Sequence, residues 1–389
     1  MKIIIYIGHH KVGSTALQVF LSQNWLRLAR AGILYPGVEA SSLSHGLAQA
    51  LGRSQGQDDG PGGPGPSGNG MNIRERHSAL AYQMIAKVNG RNVPPQFKRL
   101  PGVAQMLLAL RKQVEFLKPE TVILCSEVFA NFGQVDHDLI PQLLAPLLNA
   151  NPDSEVEIYC ALRRPDEYLI SWHGQRLKVG EQLPPLDNGG LEPYFNTIHF
   201  NFRTVVEAWD KQLPDARLII RPYSEILKSG GSIDDFLAQT SVEYPPDLTP
   251  VGHANQSLPR AAMEIVRRAN HDLSNNLAHG LSQYFLNAGA SLEITPNKQV
   301  EMLSAPVRQN LADHFAPIHD YLSKLTRRTG VFGGSGGTGF FDDIDDILLE
   351  SPVPQADAAA KLLARIDPET LPNTALRTYI KTQQGTLPA

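Results

Sequence analysis

The chain is expected to fold as an α/β protein, with a central parallel sheet flanked by helices and a helical C-terminal region. Three observations predict this. Four short apolar runs, KIIIYI (2–7), TVILCSE (121–127), VEIYCAL (156–162) and ARLIIRPY (216–223), have the length and near-continuous hydrophobicity of strands buried on both faces. Stretches with apolar residues at helical spacing alternate with them. The first run passes directly into a glycine-framed loop at the start of a helix, and α/β folds bind ligands at the carboxyl ends of strands.

Taken in order, the run Lys2–Ile7 ends in Gly8, and Leu17, Phe20, Leu21, Trp25 and Leu28 mark a helix over Ser14–Leu28, giving strand, tight loop, helix. A helix over Val103–Phe116 precedes the second strand and another over Leu139–Leu148 follows it. The third strand leads into RRPDEYLISWHGQRL, and a helix around Phe202–Trp209 precedes the fourth. From about Asn255 the pattern is helical, as in AAMEIVRRANHDL. After VFGGSGGTG a polar tail carries two short helical stretches, FDDIDDILLE and ADAAAKLLARI. Residues 52–70, GRSQGQDDGPGGPGPSGNG, lack the apolar groups needed to offset the entropy of ordering and read as a flexible insertion.

With 389 residues, 42% of them hydrophobic, the chain can bury a sizeable core. A formal net charge of −4 excludes the broad basic field of a protein that coats nucleic acid, so any anion site must be local. Cys125 and Cys160 each sit in an apolar strand-like run, where a reduced thiol behaves as a small core hydrophobe. MKIIIYIG is too short for a signal-peptide core, and no run approaches the ~18 uninterrupted apolar residues of a membrane span. A soluble cytoplasmic protein with no membrane partner is expected.

GHHKVGST, Gly8 to Thr15, has the frame of a phosphate loop: glycine, four residues, glycine, then hydroxyls where a helix starts. Backbone N–H groups there point at an anion and the helix dipole favours negative charge. Nucleotide triphosphatases place lysine directly after the second glycine. Here that place is Ser14 and the lysine is Lys11, inside the loop, which sets it beside the first phosphate and the bond to the transferred group.

IGHHKVGSTALQ resembles the first donor-binding element of the sulfotransferases that use 3'-phosphoadenosine-5'-phosphosulfate (PAPS), and in particular the bacterial, carbohydrate-type members. The family typically reads lysine, threonine, glycine, threonine or serine, threonine, then a helix with leucine and glutamine; this chain has Val12 at the first threonine. The resemblance implies a P-loop-type sheet and a sulfotransferase domain over about 1–330, followed by a helical tail over 331–389. It implies that Lys11, Val12, Gly13, Ser14 and Thr15 hold the 5'-phosphosulfate, Val12 by its backbone. The family also has an arginine at a strand end with a serine eight positions on, holding the 3'-phosphate; Arg163 and Ser171 have that separation. The chemistry suits them, because a phosphate dianion takes a planar guanidinium and a hydroxyl donor. Tyr223, in IIRPYSE, matches a strand-ending tyrosine near the adenine, and NQSLPRAAMEIVRRAN resembles a segment of bacterial members that act on polysaccharide or small hydroxylated acceptors.

Attack by a hydroxyl on sulfur needs a general base, and lysine, arginine and backbone donors meet the donor's charge without a metal. Glu127, at the end of TVILCSE, is the first choice; His45, in SSLSHGLAQAL, is the alternative, since relatives often carry a histidine there and imidazole titrates near neutrality. His9 and His10 read as loop packing or donors. His173, Gln175, Arg176 and Lys178 form either an acceptor-facing or a solvated basic face. Two other classes share the strand and loop. A P-loop nucleotide kinase-like phosphotransferase calls for lysine at position 14 and a strand-end aspartate for magnesium. The other is a non-catalytic domain that keeps nucleotide or glycan binding without turnover; the intact Lys11, Arg163 and Ser171 argue against it.

Overall fold

Five strands, β1 (Lys2–Tyr6), β2 (Ile33–Leu34), β3 (Thr121–Cys125), β4 (Glu155–Leu162) and β5 (Arg217–Pro222), form one sheet in the order β2-β3-β1-β4-β5. Every pairing is parallel. This computed structural model describes residues 1–52, 71, 73–97, 100–252, 257–287, 292–329 and 339–386. The expected insertion at 52–70 and the glycine-rich run at 333–339 fall almost wholly outside them.

The central strand β1 is buried on both faces, and Ile3, Ile4, Ile5 and Tyr6 are at most 1% exposed. Ile4 and Tyr6 share a core with Leu17, Phe20 and Leu21 of α1 (Ser14–Gln23) and with Tyr35, Tyr159 and Phe236. Each fully buried side chain of this size contributes about 1.5–3 kcal/mol. The helix Phe202–Gln212 packs on β4 and on the helix Leu139–Leu148, and its buried Trp209 stacks on Phe132 with centroids 6.2 Å apart. The sheet is therefore covered by helices, as its uninterrupted apolar strands require.

Two local features depart from the expected elements. The stretch Ser14–Leu28 is two helices, α1 and α2 (Trp25–Arg30), divided at Asn24. The Asn24 amide donates to Phe20 O and Thr249 O, both at 3.0 Å, and its Oδ1 accepts from Thr249 N at 2.8 Å, a local competitor to the helical ladder. The turn GILYPG contains β2, whose Ile33 and Leu34 pair with Thr121 and Val122. Two residues are too few to show a period.

Compact packing divides the chain into two units. The first comprises 1–164, 201–255 and 317–342 and contains the whole five-stranded sheet; the second comprises 165–200, 256–316 and 343–389. Within the second, the helix Arg260–Asp272 packs on the helices Pro165–Lys178, Asn275–Asn287 and Gln355–Arg365. Arg308 there, 4% exposed, bonds Glu301 and the Ile347 carbonyl at 2.7 Å. Cys125 and Cys160 are buried free thiols. Among the described residues no helix is long and apolar enough to cross a membrane.

In the first unit Asp235 is wholly buried and meets Arg221 in two bonds, Nη2 to Oδ1 at 2.7 Å and Nε to Oδ2 at 3.1 Å; the Tyr159 hydroxyl donates to Oδ2 at 2.6 Å. This network ties the helix Ser232–Gln239 to β4 and β5. Removing one member strands the others, so Asp235→Ala is expected to lose about 3–5 kcal/mol of unfolding free energy. Urea denaturation followed by circular dichroism measures it.

Candidate functional site

The register sets Tyr6 opposite Cys125 of β3 and Tyr159 of β4, so the loops after these strands open on one edge of the sheet. The loop after β1 lies along β4: Ile7 N donates to Tyr159 O and His9 N to Ala161 O, both at 2.9 Å. A Cβ on Gly8 would meet Ala161 N and the Tyr6 hydroxyl at 2.8 Å. Gly13 has φ +84°, and a Cβ on it would come within 2.5 Å of Ser232 Oγ, which itself donates to Gly13 O at 3.0 Å. Between these two fixed points Lys11 takes a left-handed conformation, φ +62°, at a cost of about 1–2 kcal/mol for a residue with a Cβ.

Gly13 is the N-cap of α1 and has no side chain to cap the first turn. The first-turn N–H groups of a helix have no intrahelical acceptor, and they carry the positive end of its dipole. Ser14 is buried and Thr15 half-buried. Val12 is wholly buried in the core, so only its backbone is available to a ligand.

Arg163 lies just past the end of β4 and its guanidinium carbon sits 5.3 Å from the centre of the Tyr223 ring, which opens the helix after β5. Cation and ring attract each other there, and two residues 60 positions apart are brought together. Ser171 belongs to the helix Pro165–Lys178 of the second unit.

Glu127 is not the last residue of a strand. β3 stops at Cys125, and Ser126 caps a single 3-10 turn, Glu127–Asn131, its hydroxyl accepting from Val128 N at 3.1 Å. Gln18 Nε2 of α1 donates to Glu127 Oε2 at 2.6 Å, and His10 Nδ1 is 3.7 Å from Oε1. Burial pushes the Glu127 carboxyl up; the His10 ring, its own backbone N–H and Gln18 outweigh that and hold it below the ordinary carboxylate value. His9 is packing: buried, its ring edge-on to Phe202 at 4.2 Å. His45 is half-buried on α3 (Ala40–Ala50), where burial and the charge of Arg76 push its pKa down. In the second unit Arg176 is held by Glu181 at 2.6 Å and by the Tyr194 hydroxyl at 2.9 Å, and burial pushes His173 down to about 4.

Sequence reasoning missed Arg74, Glu75, Arg76 and His77. His77 Nδ1 accepts from Cys125 N at 3.0 Å and its Nε2–H donates to Pro36 O at 3.0 Å, so the tautomer is fixed; burial pushes its pKa down to about 3. Ser78 and Ser126 share a hydroxyl bond at 2.9 Å. These contacts place the segment that carries Glu75 beside the end of β3. Burial and the Glu127 charge raise the Glu75 carboxyl to about 7, against Arg74 and His10, which lower it. Nothing in the local sequence signals this, because the bonds span about 40 to 50 residues. For Gln18, a lone amide on the buried face of α1 is a readable sign.

No family model matches the chain, and no solved structure does. It is similar to a protein of Archaeoglobus fulgidus, described as an uncharacterized protein, with 28% identity over 119 residues. The match covers 30% of this chain and 31% of that protein, less than a third of either.

A carboxyl whose pKa rises from 4.5 in the unfolded chain to about 7 in the fold stabilises below pH 4.5 and loses that contribution as pH rises through 7. Glu75→Gln is therefore expected to match wild type near pH 4 and to exceed its unfolding free energy at pH 8 by up to about 3 kcal/mol. Urea titrations at the two pH values check this.

Proposed function

We propose that the chain transfers a sulfuryl group from PAPS to an acceptor hydroxyl, of a carbohydrate by the family resemblance, using a P-loop-type sheet. The observation that carries this is the left-handed Lys11 between Gly8 and Gly13, ahead of an N-cap with no side chain. Backbone strain of this kind persists where the surroundings enforce it, and it clusters at ligand sites. Lysine in the loop and serine at the first helical position invert the triphosphatase pattern.

First-turn N–H groups with the Ser14 and Thr15 hydroxyls receive the phosphosulfate. The Lys11 ammonium stabilises the charge that develops on the leaving phosphate oxygen. Arg163 supplies the planar fork for the 3'-phosphate, and Tyr223, against which it rests, offers a ring to the adenine. Carboxylate chemistry at the end of β3 takes the acceptor's proton.

Calorimetric titration tests the donor. Adenosine 3',5'-bisphosphate, the product of transfer, is expected to bind with micromolar affinity and ATP with magnesium far more weakly. Tight ATP binding with no preference for a 3'-phosphate overturns the assignment. Lys11→Gly separates strain from function: release of the left-handed strain is expected to stabilise by about 1 kcal/mol, while turnover falls by about 100-fold or more. Thermal denaturation and bisphosphate release measure the two.

A further inference from the structure

The segment 73–78 is pinned along the same edge of the first unit by contacts with residues distant in the chain. Ser22 Oγ donates to Ile73 O at 2.8 Å. Arg76, 1% exposed, donates to Tyr35 O at 3.2 Å and lies over the rings of Trp25 and Tyr35. His77 bonds the last residue of β3, and Ser78 bonds Ser126, the residue before Glu127. Two carboxyls, Glu75 and Glu127, are thus held within electrostatic reach of each other and of His10.

The two are not equivalent. Both oxygens of Glu127 are engaged, Oε2 by Gln18 and Oε1 by His10, which makes it a weak proton acceptor. On Glu75, Arg74 bonds Oε1 at 3.0 Å, and among the described residues nothing bonds the other oxygen. Gln18 adds an independent sign of a ligand. It is 0% exposed, its Nε2 is committed to Glu127, and its Oε1 is buried with no donor among the described residues. A buried acceptor left open costs about 1–3 kcal/mol, and a hydroxyl arriving with a ligand is the donor that would satisfy it.

We propose that Glu75, not Glu127, takes the proton of the acceptor hydroxyl, and that Glu127, both of whose oxygens are engaged, is a positioning residue. This rests on the sulfuryl-transfer reading. As the hydroxyl oxygen bonds to sulfur, the bond from sulfur to the phosphate oxygen breaks; the hydroxyl proton passes to Glu75, and the bisphosphate leaves with the electron pair. Other groups facing the pair leave this arrangement intact. Tyr6, Tyr35, Tyr82 and Cys125 are all pushed up by burial, and the groups that act on Glu75 are Glu127, Arg74 and His10.

Hydrolysis of PAPS, with water as the acceptor, is the activity probe, and calorimetry with adenosine 3',5'-bisphosphate runs beside it. Glu75→Gln is expected to lower hydrolysis by about 100-fold or more with bisphosphate affinity unchanged. Glu127→Gln is expected to keep part of the rate and to move the acidic limb of the pH–rate profile from near 7 to lower pH. A Glu75→Gln protein that binds bisphosphate and hydrolyses at the wild-type rate overturns the assignment and leaves the donor reading standing. Wild-type protein that binds no bisphosphate overturns the donor reading and the base role with it. Carboxyl titration by carbon NMR of glutamate-labelled, ligand-free protein tests the pair independently of turnover. A Glu75 midpoint near 7 that drops in Glu127→Gln supports the proposal, and a midpoint in the ordinary carboxylate range overturns it.

Discussion

The loop after β1 is held from beneath by a buried ion pair. Arg221, on β5, closes on Asp235, and Asp235 also takes the Tyr159 hydroxyl of β4. Two strands thereby fix one short helix, Ser232–Gln239, whose first residue bonds the carbonyl of Gly13. The other end of the loop is fixed where Gly8 passes against the backbone of Ala161. With both ends set by contacts outside the loop, Lys11 is forced into a conformation that its own side chain disfavours. The strain is small beside the cost of breaking a buried bidentate pair.

Much of this frame was legible in the sequence. Four strands could be read because each is a near-continuous apolar run, the pattern that burial on both faces of a parallel sheet imposes. β2 could not, since Ile33 and Leu34 alone carry no period. The division of the first helical stretch at Asn24 depends on Thr249, a partner more than two hundred residues away. Local pattern says nothing about such a bond. In the candidate site, the frame of the loop could be read from its glycines, whereas Arg163 was singled out by the family resemblance. The contact of Arg163 with Tyr223 follows from β4 and β5 being neighbours.

Glu127 reads in the sequence as the last residue of a strand. It stands at the expected edge, but on a 3-10 turn capped by Ser126 rather than at the end of a strand, and its partners come from the loop and from α1. The segment 73–78 was illegible altogether. Its position is set by His77 and Ser78 bonding the end of β3, and by Arg76 buried against two aromatic rings. Those contacts determine the electrostatics of the edge. One carboxylate is kept ionised by donors, and the next is kept hard to ionise by burial and by the first. In a chain with a net charge of −4, the electrostatics of this edge are set by such local groups and not by a general field.

The proposed donor site joins the α1 end of the β1 loop to the Arg163–Tyr223 pair. Amide chemical-shift mapping of labelled protein titrated with adenosine 3',5'-bisphosphate tests it most directly. Saturable shifts at Lys11 to Thr15 and around Arg163 and Tyr223, with a single affinity, are expected. Shifts confined to one of these groups, or centred elsewhere on the chain, would contradict it.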